Sequence, residues 1–287
     1  MRSDLAEGAV SGYLRARSFP LALCATFRNR KAMALLKSLS RHPFPVVAFF
    51  EKVAAVSFAF PEATLHSLVP AGLEIDSFEG YGFVTVAMVW AKGLRPAGFP
   101  AWLGQDFFLA GYRVFTRLTE EQGRRLRGLR ILRSETDKRR MKWMGNLLTG
   151  YRYRYVRVVT EKRGDDTQVV TSLPGGQPTM DITFGSPSES VGLPESSPFP
   201  DWSTARRFAG PMPFTFSPEG DGSFVVIEGT RQHWVPQPVP VKEWKVGIFE
   251  EAPFAGTNPI LANAFAVESV PYRWEKGRVV WPEGTSP

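Results

Sequence analysis

Proline and glycine interrupt this chain so often that long helices have little room: 24 Pro and 26 Gly fall among 287 residues. Proline removes a backbone donor and clashes with the preceding turn, and glycine weakens a helix interior. Such punctuation favours short strands joined by turns. Between the breaks the chain is apolar, with 43% hydrophobic and 13% aromatic residues, 22 Phe and eight Trp among them. That is enough to fill a sizeable core and to line an apolar pocket.

The spacing of apolar residues predicts the elements. The ordered body is expected to begin near His42 with HPFPVVAFFEKVAAVSFAF, whose later part alternates as a strand does. PEATLHSLVPAG (61–72) reads as a short helix, with Pro61 at its start and Pro70 and Gly72 at its end. Two strands should flank the Glu79-Gly80 turn, followed by a Gly/Pro-rich loop to about Gly104 and a strand over 106–118. Asp137–Thr149 has helical spacing, with Ser134, Thr136 or Asp137 available as N-cap and Gly150 as the stop. Tyr151–Val159 alternates Tyr and Val with Arg, the pattern of a half-buried strand. Residues 175–200 read as a long loop. Strands return at 223–229 and 244–250, and NPILANAFAV (258–267) reads as a helical patch before VPYRW and GRVVW. Strands with a few helices, lacking regular βαβ alternation, indicate an α+β, mainly β fold.

The formal charge of +7 is unevenly placed. Residues 1–41 hold Arg2, Arg15, Arg17, Arg28, Arg30, Lys31, Lys37 and Arg41 against Asp4 and Glu7, which accounts for all but one unit of the excess. The expected organisation is a basic, flexible extension over 1–41, a single domain over 42–277 and a tail over 278–287. Translation from Met33 would make residues 1–32 upstream sequence. The nearly neutral body speaks against a whole-surface nucleic-acid footprint. Cys24 is the one cysteine, so no internal disulfide and no cysteine zinc site is available. No apolar run approaches the roughly 20 residues that span a bilayer. A cytoplasmic protein is the expectation.

Several chemistries lack their motifs. There is no Walker-type phosphate loop, GxGxxG or GxSxG elbow, and His42, His66 and His233 are not spaced as metal ligands. The basic run Arg124–Lys142, with nine cations against Glu135 and Asp137, suits phosphate binding in composition. However, the alternation of Tyr151, Tyr153 and Tyr155 with Arg152, Arg154 and Arg157 turns rings and cations to opposite faces. The rings then line the interior, and nucleic acid is disfavoured as a partner. Lys138, at the start of the helical segment, faces the helix dipole and the neighbouring Arg139 and Arg140, all of which favour a neutral amine. Glu135 and Asp137 oppose this, and the same position suits a surface lysine.

Two stretches resemble a known family. PEATLHSLVPAGLEIDSFEGYGFVTVAM (61–88) resembles the early segment of acetoacetate decarboxylases, and LRSETDKRR (132–140) falls where those enzymes carry a paired-lysine motif. Over roughly residues 42–277 the body resembles an uncharacterised bacterial branch of the acetoacetate decarboxylase-like superfamily. The resemblance implies a β-barrel or cone around a central cavity with a few peripheral helices, in a homo-oligomer. It places the Schiff-base position at Lys138 and its cationic neighbour at Arg139; lysine activation by a neighbouring cation is the decarboxylases' own device. Glu135 would be the convenient acid/base, Arg133 or Arg140 would hold the carboxylate of a small organic acid or carbonyl ligand, and Tyr151 and Tyr153 would line the pocket. No cofactor or metal is required, because the imine is the electron sink. The chain departs from the family at the substrate arginine, which aligns with Glu51, and at one carboxylate, which aligns with Val84; the loop Lys92–Pro100 holds no acid. The alternative is a non-catalytic small-molecule binder on the same fold.

Overall fold

A computed structural model describes residues 37–285. The expected extension over 1–41, with Cys24 and Met33, lies outside the described residues except for 37–41, where Arg41 donates to Glu219 in two bonds of 3.1 Å.

Fifteen strands are formed among the described residues: β1 Val46–Pro61, β2 Glu74–Ile75, β3 Tyr81–Pro96, β4 Gln105–Thr119, β5 Arg125–Thr136, β6 Tyr153–Tyr155, β7 Arg157–Arg163, β8 Asp166–Ser172, β9 Pro178–Phe184, β10 Phe214–Pro218, β11 Phe224–Arg231, β12 Gln237–Pro238, β13 Val241–Val246, β14 Ile260–Trp274 and β15 Arg278–Val280. Helices are few: α1 Glu62–Leu65, α2 Arg139–Leu148 and α3 Trp202–Ala209, with three 3-10 turns. Among the described residues no helix is long and apolar enough to cross a membrane.

The long strands close on themselves. In spatial order β14, β1, β3, β4, β5, β10 and β11 each pair with the next, and β11 pairs back to β14 through Gly229↔Trp274 and its neighbours. Only the β5–β10 contact in this ring is parallel. Strands of 15 or 16 residues, such as β1, β3, β4 and β14, are longer than the Pro and Gly count suggests. The breakers concentrate in the connections and leave those strands largely intact.

Alternation gives the ring two apolar faces. Val56, Phe58, Val86, Met88, Ala110 and Tyr112 face outward and are covered by the second sheet, β13-β9-β8-β7, through Val169, Met180, Ile182 and Phe184. Val53, Ala55, Ala87, Val89, Leu109 and Ile131 face inward. At one end the ring is filled by α3 with Phe83, Phe115 and Phe199. Ser57 Oγ donates to the Ala209 carbonyl, and Asn263 Nδ2 reaches the carbonyls of Ala205 and Ala209, so the last turn of α3 is tied to the strands. At the other end Met141 of α2 packs with Tyr151 and Tyr153.

Several expectations are corrected. Residues 260–267 are not helical but open β14, because Ala264 and Ala266 pack on one face and Phe265 and Val267 on the other, in register with β1. Helix propensity yields there to tertiary pairing. Helix α2 starts later than expected: Lys138 is its N-cap without a side-chain cap, since the Asp137 carboxylate accepts from the Phe108 N–H instead. It ends at Thr149, whose N–H and hydroxyl both donate to the Gly145 carbonyl, and not at Gly150. The strand expected over 151–159 divides at Val156, where the chain leaves the ring for the second sheet.

Candidate functional site

The ring's inner face is built from short side chains where it matters. Ala55 on β1, with Thr85 and Ala87 on β3, leaves a cavity of about 90 Å³. On β4 the two-residue period places Phe107, Leu109, Gly111 and Arg113 on this same side. Arg113 lies deep in the protein, and the surface it retains faces the cavity. Gly111 makes room for it, since a Cβ there would stand 2.8 Å from Arg113 Nε.

Among the described residues that guanidinium has no counter-charge: its Nε lacks a hydrogen-bond partner, and no carboxylate there acts on it. Burial lowers its pKa from the ordinary value, opposed by the nearby Tyr272, Tyr151 and Tyr153; an arginine stays charged nonetheless. Buried charges are ordinarily paired, so an uncompensated cation beside a cavity is an anion site in waiting.

The remaining polar groups at the cavity are mostly donors. Burial lifts the Tyr151 and Tyr153 phenols well above their usual range, which keeps both protonated at neutral pH. The Tyr151 hydroxyl shares a 2.6 Å bond with Thr215 Oγ1. Arg231 lies over the Trp234 ring at 4.8 Å and donates to the Pro211 carbonyl at 3.3 Å. No Lys, His, Cys, Asp or Glu is among the described residues lining this cavity. Nor do three His, Cys, Asp or Glu side chains converge as metal ligands would, anywhere among the described residues.

The model of the DUF2071 family, described as an uncharacterized conserved protein, matches residues 48–269, most of the ring. The chain belongs to the DUF2071 family. No curated protein matches this DUF2071 chain. Among solved structures it is similar to acetoacetate decarboxylase from Legionella pneumophila subsp. pneumophila str. Philadelphia 1, with a TM-score of 0.58, 13% identity, and 84% and 88% of the two chains covered. It is also similar to the enduracididine biosynthesis enzyme MppR complexed with pyruvate, with a TM-score of 0.55, 13% identity and 83% and 90% coverage. An acetoacetate decarboxylase-like enzyme from Sphingomonas wittichii RW1 follows, with a TM-score of 0.53, 12% identity and 84% and 94% coverage. The acetoacetate decarboxylase-like fold is thereby established for this DUF2071 chain.

The residues singled out in the sequence are dispersed. Tyr151 and Tyr153 line the cavity. Lys138 does not: its ammonium is half-exposed in a surface depression and stands 3.0 Å from the Asp137 carboxylate. Arg139 is exposed, with its guanidinium 5.3 Å from the Tyr155 ring centre. Arg133 is engaged by Glu251 in two bonds of 2.8 and 2.6 Å. Arg140 lies at the rim of a second, apolar chamber.

Glu135 is completely buried on the other face of β5 from Ser134, which lines the cavity. It accepts from Arg154 Nε at 2.8 Å and from the hydroxyls of Thr171 and Thr179 at 3.0 Å, which binds the ring to the second sheet. The Asp of the LEID stretch, Asp76, is likewise buried, between Arg127 Nε at 2.9 Å and Arg117 Nε at 3.4 Å. The basic run thus breaks up: Arg127, Arg133 and Lys138 are each held by a carboxylate, and Arg130 is buried.

Sequence reading missed Arg113. A signal was present in AGYRVF, where an arginine sits at an inward position of an apolar strand with a glycine two residues before it. That the charge has no partner is visible only once the ring is assembled.

Proposed function

We propose that this protein binds a small organic acid in the ring cavity, with the carboxylate on Arg113. The observation that carries the reading is one buried guanidinium without an acidic partner among the described residues, opening on an aromatic cavity. A carboxylate would supply the missing charge and accept from Arg113, with the tyrosine hydroxyls as neutral donors nearby. MppR, which shares the fold, holds pyruvate in its complex, and an acid of that size suits the cavity. The reading keeps the organic acid expected from the sequence and moves its anchor from Arg133 or Arg140 to Arg113. Recognition without turnover fits better than imine chemistry, because among the described residues no amine and no carboxylate line the cavity.

Calorimetric titration with pyruvate and propionate tests this. Saturable binding is expected for the wild type, and binding at least about 10-fold weaker for Arg113→Met, as befits loss of a charge-assisted hydrogen bond. Equal affinity in the variant would rule out Arg113 as the anchor.

A further inference from the structure

Beside the Arg113 cavity lies a larger space that a short acid leaves unused. It measures about 290 Å³, roughly three times the first, and its wall is apolar, with Met141, Met144 and Leu148 of α2 on one side and Phe107 and Leu94 on the other. Leu109, Tyr151, Tyr153 and Trp274 line both spaces, so one layer of side chains separates them.

Tyr153 is one of the side chains in that layer. Its backbone is fixed by Asn146, which accepts from the Tyr153 N–H at 2.7 Å and donates to its carbonyl at 2.9 Å. Its ring lies directly on Gly145, where a Cβ would stand 2.3 Å from the ring. No hydroxyl partner holds the ring from the other side among the described residues. Methionine adapts to varied apolar shapes, and Met141 and Met144 sit where such adaptation serves a ligand chain. The chamber opens outward past Phe99 and Leu103, which are about half-exposed.

We propose that the ligand is an amphipathic acid, its carboxylate on Arg113 and its alkyl chain in the methionine-lined chamber, past the edge of the Tyr153 ring. This rests on the organic-acid reading above and adds the ligand's apolar half. It explains why a cation and an apolar chamber share a wall: one molecule has a use for both.

Unbranched acids from propionate to decanoate, with decanol as a headless control, provide the test by calorimetry on the full chain. Decanoate is expected to bind at least about 100-fold tighter than propionate, since each buried methylene contributes about 0.8 kcal/mol before association losses. Met144→Trp, which fills the chamber, should abolish that gain and leave propionate unchanged. Leu148→Trp serves the same purpose if the first variant does not fold. Arg113→Met should weaken decanoate about 100-fold and leave decanol alone, and Arg140→Met should do neither. Decanoate no tighter than propionate would overturn the chamber's role and leave the organic-acid reading standing. Decanoate sensitive to Arg140→Met but not to Arg113→Met would place the head at the rim and overturn the orientation. Binding of no acid in the series would remove both readings together.

Discussion

Replacing Arg113 by methionine should make the empty protein more stable and its ligand response absent. Methionine approximates the aliphatic length of arginine without the charge. In the folded protein the guanidinium is buried, and among the described residues its Nε has no partner and no carboxylate offsets its charge. An unsatisfied buried donor costs about 1–3 kcal/mol, and an uncompensated buried ion several kcal/mol. Part of the group faces the cavity, where water can enter, which reduces the second figure. A net gain of about 2 kcal/mol on substitution is the working magnitude. For a domain of this size that raises Tm by about 4–8 °C. Urea denaturation should give a higher midpoint with an unchanged slope. Addition of pyruvate or decanoate should raise the Tm of the wild type and leave that of the variant in place, as linkage requires when only the native wild type binds. A variant less stable than the wild type would mean that Arg113 is satisfied within the fold. An undiminished ligand response would mean that the acid sits elsewhere.

Three further outcomes are expected. Glu135→Ala should destabilise by about 3 kcal/mol in urea, since it strands the Arg154 charge and leaves the Thr171 and Thr179 hydroxyls only each other; a loss below about 1 kcal/mol would show that Glu135 does not tie the sheets together. Burial holds His42 below its ordinary pKa of 6.5, so on acidification the unfolded chain takes up the proton first. Stability is therefore full above pH 6.5 and lost below it. His42→Asn, which tolerates the left-handed backbone at this position (φ 55°), should flatten the Tm profile between pH 7 and 5.5, and an unchanged slope would exclude His42. Borohydride reduction with pyruvate should leave Lys138 unmodified in a peptide mass map, because the ammonium is half-exposed and paired with Asp137; an adduct at Lys138 would restore the imine reading.

Much of the ring was legible in the sequence because its strands alternate and its turns carry their own residues. The Glu79-Gly80 turn, the strand over 106–118 and the inward Tyr151 and Tyr153 all follow from local pattern. β14 was not legible, since its alanines favour a helix in isolation and its pairing partner β1 lies some 200 residues earlier. The site was legible only in part. The stretch LRSETDKRR sits at the end of β5 as the resemblance led one to expect, but the side chain of Lys138 leaves the sheet at the surface while Ser134 lines the cavity. Arg113 looked like any basic residue in a strand. Its meaning comes from the absence of acids among the described residues that line the cavity, which are brought together from distant parts of the chain.

Closure of the ring also sets an order of events in time. β1 has β3 on one side almost as soon as both are made, yet its other side waits for β14, the last long strand of the chain. Pairings between such distant segments are slow to form, because the entropy of closing the intervening chain is lost before the contacts return it. Until residues 260–274 leave the ribosome, β1 presents a long, apolar, open edge of the kind that recruits other chains. The binding cavity is therefore a late product of synthesis. A nascent chain halted short of β14 carries every residue of β4, Arg113 included, but has no enclosed place for a ligand to go.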